Sequence, residues 1–104
     1  MRITEYAVPL GFGSRYRHYH VSERGKILEF CVQYEIYIRG EWHPVVRYDT
    51  AHGFAHRDFM DLKGVVVKTP LFTNDYNEAL TFAESDIKSN WAIYKTRFIG
   101  EYNE

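Results

Sequence analysis

Ile27-Leu28-Glu29-Phe30-Cys31-Val32-Gln33-Tyr34-Glu35-Ile36-Tyr37-Ile38-Arg39 is the stretch whose reading decides the fold. Leu28, Phe30, Val32, Tyr34, Ile36 and Ile38 take one face of an extended strand, and Glu29, Cys31, Gln33, Glu35, Tyr37 and Arg39 take the other. The first face must be core. A slip of one residue would exchange the two, so neighbouring strands can be aligned by the same criterion. A two-residue turn at Arg24-Gly25 pairs Val21 with Leu28 and Tyr19 with Phe30, apolar against apolar, and leaves Tyr16, His18 and His20 on the opposite face. After Ile38, a three-residue loop Arg39-Gly40-Glu41 puts Trp42, Pro44, Val46 and Tyr48 on the core face. His43, Arg47 and Asp49 then join Gln33 and Glu35 on the other. A two-residue loop would set His43 and Arg47 opposite Ile36 and Val32, and is rejected for that reason. Pro44 has no amide donor, so its strand is an edge there or carries a bulge.

Working outward, Pro9-Leu10-Gly11-Phe12-Gly13-Ser14 separates a short opening strand, residues 2–8, from a longer one, residues 15–23. The segment Phe59 to Lys68, with a turn around Lys63-Gly64, supplies one or two further short strands that include Val65-Val66-Val67. From Asp75 the period changes to steps of three and four through Leu80, Ala83, Ile87, Trp91, Tyr94 and Phe98, the stripe of an amphipathic helix of about twenty-five residues. Asp75 and Glu78 form a capping pair, and Gly100 marks the helix end. That stripe needs an apolar surface, and the aliphatic face of the strand meander is the one available. The expected fold is α+β: a single domain, 1–104, with a mainly antiparallel sheet of five or six strands and one long C-terminal helix packed on one face.

The 104 residues fit one domain, and 45% hydrophobic with 17% aromatic residues supply a core without disulfides or a structural metal. With 13 basic and 14 acidic side chains the net charge is -1, so no global field gathers nucleic acid, although a local patch can. Cys31 is the one cysteine, which excludes an intrachain disulfide and suits a reducing compartment. Met1-Arg2-Ile3-Thr4-Glu5 lacks the apolar run of a secretory signal, and no apolar stretch reaches membrane-helix length. A cytoplasmic location without membrane contact is the expectation.

Chemistry concentrates in Arg47-Tyr48-Asp49-Thr50-Ala51-His52-Gly53-Phe54-Ala55-His56-Arg57-Asp58. Burying so many titratable groups unpaired is costly, so they point to a surface or cleft. One reading is metal-independent phosphodiester cleavage. His52 and His56 would act as general base and acid, Arg47 or Arg57 would face the developing phosphorane charge, and Asp49 or Asp58 would orient an imidazole. A second is a metal site of His52, His56 and Asp58 with His43. Histidines four apart share a face only on a helix, and Gly53 argues against a helix here, so no metal and no cofactor are expected. The third is a turn stabilised by Arg-Asp pairing, with solvated histidines. Tyr16, His18, His20, His43 and Tyr48 are candidate binding residues, because the run Arg15-Tyr16-Arg17-His18-Tyr19-His20 interleaves cations with aromatic rings.

Val45 to Asp58, followed by Asp75-Tyr76-Asn77-Glu78-Ala79-Leu80, resembles a small prokaryotic family of uncharacterised proteins of about this length. More distantly, Tyr16-Arg17-His18-Tyr19-His20, then Arg47-Tyr48-Asp49-Thr50-Ala51-His52, then His56 is similar to TumE-type toxins of toxin-antitoxin pairs. Those carry an Arg-Tyr-Asp-Asn-Ala stretch leading into histidines; here Thr50 takes the asparagine position and Gly53 interrupts the loop. The resemblance implies a toxin-like, RNA-directed protein with ribonuclease chemistry and a cognate antitoxin as partner. The alternative is a non-enzymatic protein- or nucleic-acid-binding module, including a homodimer.

Overall fold

A computed structural model describes residues 1–102, with side chains through residue 100. Strands β1 (Arg2–Gly11), β2 (Ser14–Glu23), β3 (Lys26–Ile38), β4 (Glu41–Asp49), β5 (His56–Met60) and β6 (Val66–Pro70) precede the helix α1 (Tyr76–Tyr102). A 3₁₀ turn over Ala51–Gly53 joins β4 to β5. The strands form one antiparallel meander in sequence order. The α+β reading holds, with the sheet at the upper end of its expected strand count.

Tight turns hold the meander in register. Arg24 and Gly25 have φ of 51° and 80°, and Arg39 and Gly40 have φ of 51° and 83°. Two consecutive left-handed residues match the twist of a two-residue hairpin. The β3–β4 connection is therefore Arg39-Gly40, with Ile38 opposite Glu41, and not the three-residue loop expected from sequence. The turn into β6 rests on Asp61, whose Oδ1 accepts from the amides of Lys63 at 2.8 Å and Val65 at 3.0 Å.

Two bulges reset which face each side chain takes. In the β2–β3 pair Ser22 faces Ile27 and Val21 faces Glu29, so Leu28 is the extra residue. Every earlier residue of β2 is thereby shifted by one from the sequence alignment: His20 lies opposite Phe30, His18 opposite Val32 and Tyr16 opposite Tyr34. Tyr16, His18 and His20 thus share the core face with Phe30 and Val32, the reverse of the expectation, and Leu28 is left exposed while Ile27 packs on the core. In the β3–β4 pair Pro44 faces Glu35 and Val46 faces Tyr34, making Val45 the extra residue. The proline argument for a bulge holds. Before it, Trp42 and Pro44 lie with Tyr37 and Glu35, and His43 sits opposite Ile36 with its ring 6.4 Å from Phe98; these three exchange their expected faces. After it, Val46 and Tyr48 are core and Arg47 faces Gln33 on the other side, as expected.

The helix covers the core face. Its 27 residues measure about 40 Å at 1.5 Å per residue, which nearly matches the 46 Å long dimension of the molecule. Ala79, Ala83, Ile87 and Phe98 are buried against Phe30, Val32, Tyr34, Val46 and Tyr48. The capping pair is present: Asp75 Oδ1 accepts from the Glu78 amide at 2.8 Å, and Glu78 Oε2 accepts from the Asn74 amide at 3.3 Å. Asn77 ties the helix start to the β2–β3 hairpin, accepting from the Ile27 amide at 2.9 Å and donating to the Gly25 carbonyl at 2.8 Å. Gly100 lies inside the helix and does not end it, because an exposed glycine there costs only about 1 kcal/mol relative to alanine. Among the described residues no helix is long and apolar enough to cross a membrane.

Candidate functional site on the open sheet face

With α1 on one face, the other face of the sheet carries a line of linked polar side chains. Arg15 Nε donates to Glu35 Oε1 at 2.7 Å, Gln33 Nε2 donates to Glu35 Oε2 at 2.5 Å, and Arg47 Nε donates to Gln33 Oε1 at 2.7 Å. These bonds fix two guanidiniums on a rigid sheet, and an arginine gripped at Nε keeps its outer Nη edge for a fork-shaped contact with phosphate. The Arg15 guanidinium also stacks 3.8 Å from the centre of the Trp42 ring. Arg17 is exposed and lies opposite Gln33, in the same cross-strand row as Arg47, Asp58 and Lys68. Beside Arg17 a depression of about 420 Å³ is bounded by Glu5, Ala7, Tyr19, Cys31 and Gln33 together with the Tyr6 and His18 positions. Burial, followed by the Asp49 charge, pushes the Cys31 thiol up to about 11.

At the other end of this face, Asp49, His56, Asp58 and Lys68 converge. His56 Nε2 stands 2.8 Å from Asp49 Oδ1, 3.6 Å from Asp58 Oδ2 and 3.1 Å from Lys68 Nζ. His56 Nδ1 donates to the Phe54 carbonyl at 3.3 Å, and the Phe54 and His52 rings lie 5.3 and 6.2 Å from the imidazole. The 51–54 turn therefore caps the cluster, leaving the His56 side chain 1% exposed. His52 itself is exposed at the rim and holds a left-handed backbone, φ 72°. Asp49 Oδ1 accepts from the Ala51 amide at 3.1 Å and so starts the turn.

The twelve-residue segment is split by strand parity. His56 and Asp58 pair with Asp49 and Arg47 on the open face, whereas Arg57 pairs with Tyr48 beneath the helix, its guanidinium 4.4 Å from the Phe59 ring centre. Arg57 thus stands apart from the expected catalytic group. The five candidate binding residues lie on the helix side: Tyr16, His18 and Tyr48 are buried, and His20 and His43 are half-buried.

On that side polar groups find partners across elements. Asp86 accepts from Tyr48 and from Tyr94 at 2.7 Å, and its other oxygen accepts from Asn90 at 2.8 Å. Burial, then Asp86, pushes the Tyr94 phenol up to about 12. Glu84 binds His18 Nδ1 and accepts from Tyr6 at 3.2 Å, while His18 Nε2 meets His20 Nδ1 at 2.6 Å. Burial alone would raise Glu84, but hydrogen bonds from Tyr16 and His18 hold it below the usual carboxylate value. His20 is held below the usual imidazole value, by burial first and then by the charges of His18 and Arg2.

Sequence reasoning missed Lys68, which completes the open-face cluster, and Glu84 and Asp86, which anchor the helix-side networks. Lys68 carried one usable signal, its alternation with the exposed valines of β6; the two acids sit on a helix whose apolar stripe drew the attention.

The chain belongs to the family described as a domain of unknown function (DUF7718), whose model matches residues 1–104. No curated protein and no solved structure matches it.

Proposed function

We propose that this protein is RNA-directed and toxin-like, meeting single-stranded RNA on the open sheet face and cutting it beside the 47–58 segment. The observation that carries the reading is the band of cations from three strands, Arg15 and Arg17 of β2, Arg47 of β4 and Lys68 of β6, on one face with Trp42 and a depression flanked by Tyr19. A sheet that alternates cations with rings suits single strands, whose phosphates take the charges and whose bases stack. The depression falls within the roughly 300–1,000 Å³ range of small-ligand pockets and has room for a base. The resemblance of residues 16–20 and 47–52 to TumE-type toxins supports the same reading, and a cognate antitoxin would then cover this face in the cytoplasm.

In that chemistry His52, exposed at the rim, takes the proton of a ribose 2′-hydroxyl, whose oxygen attacks the adjacent phosphorus while the bond to the 5′-oxygen breaks and solvent water protonates that leaving oxygen. Arg47 and Lys68 face the charge that develops on phosphorus. His56 is a positioning residue, holding the turn through Phe54 and Asp49. A second reading, binding without cleavage, is favoured by the burial of His56, which keeps its imidazole away from any ligand on the surface.

The test is fluorescence anisotropy with a labelled single-stranded RNA, run in chelator, with product analysis on a gel. Arg17→Ala and Arg47→Ala should each weaken binding and lower the salt slope by about 0.7. His52→Ala should leave binding intact and slow cleavage by about two to four orders of magnitude. Binding without any cleavage selects the second reading, and no binding at low salt rejects both.

A further inference from the structure

We infer that Asp49, His56 and Asp58 form a binding site for one divalent first-row transition ion, of the manganese-to-zinc series, reached from the open face once Lys68 swings aside. One ligand atom from each of the three residues lies within 4.8 Å of the others. In four- or six-coordinate sites with bonds near 2.1 Å, ligand atoms stand about 3.0–3.4 Å apart, and the 2.8 and 3.6 Å separations around His56 Nε2 bracket that span.

The strongest support is the setting of His56, whose Nε2 faces two carboxylates and the Lys68 ammonium. Its Nδ1 hydrogen is committed to the Phe54 carbonyl, the outer bond that typically fixes a metal-binding imidazole with Nε2 facing the ion. Nε2 thus stands 2.8 Å from Asp49 Oδ1 and 3.6 Å from Asp58 Oδ2, with the Lys68 ammonium at 3.1 Å. A divalent cation seated among these three ligand atoms would take over the charge that the ammonium supplies. A second, independent mark is Asp58 Oδ1, which is buried without a hydrogen bond in a side chain only 7% exposed, its nearest charge partner being Lys68 Nζ at 3.5 Å.

Lys68 is then the stand-in cation. Its side chain is 43% exposed and can leave for solvent, whereas Asp49 and Asp58 are held on paired strands. One imidazole with two carboxylates is a mixed nitrogen-oxygen donor set that suits manganese or zinc better than soft copper(I), and water would fill the remaining positions. This set differs from the one suggested by sequence spacing. His43 lies on the far side of the sheet and His52 is outside the converging group, while Asp49 takes a place.

The inference does not rest on the RNA reading, since it is tested without RNA. Tag-free protein of residues 1–104 is stripped with chelator, dialysed against manganese or zinc chloride, and assayed for bound metal and for melting temperature. One equivalent and a raised melting temperature are expected. Asp58→Asn should weaken binding by at least the roughly 10–100-fold seen when even a residue that merely orients a ligand is lost. Lys68→Met should tighten it several-fold by removing the competing ammonium, and needs no buried group to change. His20→Ala, across the sheet, should keep the equivalent. The inference is overturned if neither wild type nor Lys68→Met takes up metal, if Asp58→Asn binds as wild type does, or if His20→Ala abolishes uptake.

Discussion

The two faces of the sheet handle charge in opposite ways. Beneath the helix, Asp86 receives hydrogen bonds from Tyr48, Tyr94 and Asn90, and Glu84 is engaged by Tyr6 and His18. On the open face, Arg15 and Arg47 are held through Nε in the Glu35–Gln33 line, Arg15 also stacking on Trp42, and Asp49, His56, Asp58 and Lys68 converge with Asp58 Oδ1 left without a hydrogen bond. Networks that bridge helix and sheet specify the fold, although Glu84 Oε2 and Arg57 Nε on that side are buried without a hydrogen bond. A rigid surface whose arginines keep their outer Nη edges turned to solvent is where a phosphate-bearing ligand gains most.

The contrast can be broken first by volume. Tyr34→Ala or Tyr48→Ala, at fully buried positions under the helix, should cost about 3–5 kcal/mol in denaturant unfolding, the usual cost for a large aromatic in a core. Arg17→Ala, exposed on the open face, should cost under about 0.5 kcal/mol. Similar losses at the two would dissolve the distinction between faces.

Removing a shared acceptor is the next smaller effect. Asp86→Ala leaves the hydroxyls of buried Tyr48 and half-buried Tyr94 without their acceptor and should destabilise by about 1–3 kcal/mol. A Tyr94→Phe partner variant should recover part of that loss, and strict additivity of the two would show that the network is not coupled.

Acid should act through the other helix-side network. Glu84 and His20 both have folded values below their ordinary ones, so the stability each contributes is complete above its unfolded value and is lost as pH falls toward the folded one. His20 begins this loss below about 6.5 and Glu84 below about 4.3, with Tyr6, Tyr16, His18, Lys88 and Arg2 as the groups that face them. The melting temperature should fall from pH 7.5 to 3, and Glu84→Gln should flatten the part of that curve below about pH 4.3. A wild-type profile flat to pH 3 would remove the network from the account.

The smallest effect sharpens the helix boundary. Gly100 sits within α1 with nothing within 4 Å of an added Cβ, so Gly100→Ala should stabilise by about 0.5–1 kcal/mol. A loss of stability would mean that the helix turns at this residue after all.

Much of this was legible in the chain. The alternation from Phe30 to Ile36 and the stripe from Leu80 to Phe98 defined two layers, because period two and period 3.6 are direct consequences of backbone geometry. What could not be read was bulge position. A bulge changes parity without requiring a particular residue, so Leu28 gave no warning and carried Tyr16, His18 and His20 to the wrong face. Pro44 did signal one, but not that Val45 would be the residue to bulge or that His43 would turn inward. Gly53 makes residues 50–58 read as a turn, which hides the strand alternation that separates His56 and Asp58 from Arg57. One consequence is practical. His18 and His56 are too buried to serve as surface controls or simple catalytic knockouts, and His52 is the histidine of the 47–58 segment that can be changed without opening the interior.

The two tryptophans report on the two faces. Trp42 lies on the open face under the Arg15 guanidinium, and Trp91 packs from the helix against Tyr34. Titrating single-stranded RNA into ¹⁵N-labelled protein and following the two indole N–H resonances is the most direct test of the claim that function belongs to the open face. The Trp42 signal should shift saturably while the Trp91 signal stays in place; a shift confined to Trp91, or no shift in either at saturating RNA, would contradict it.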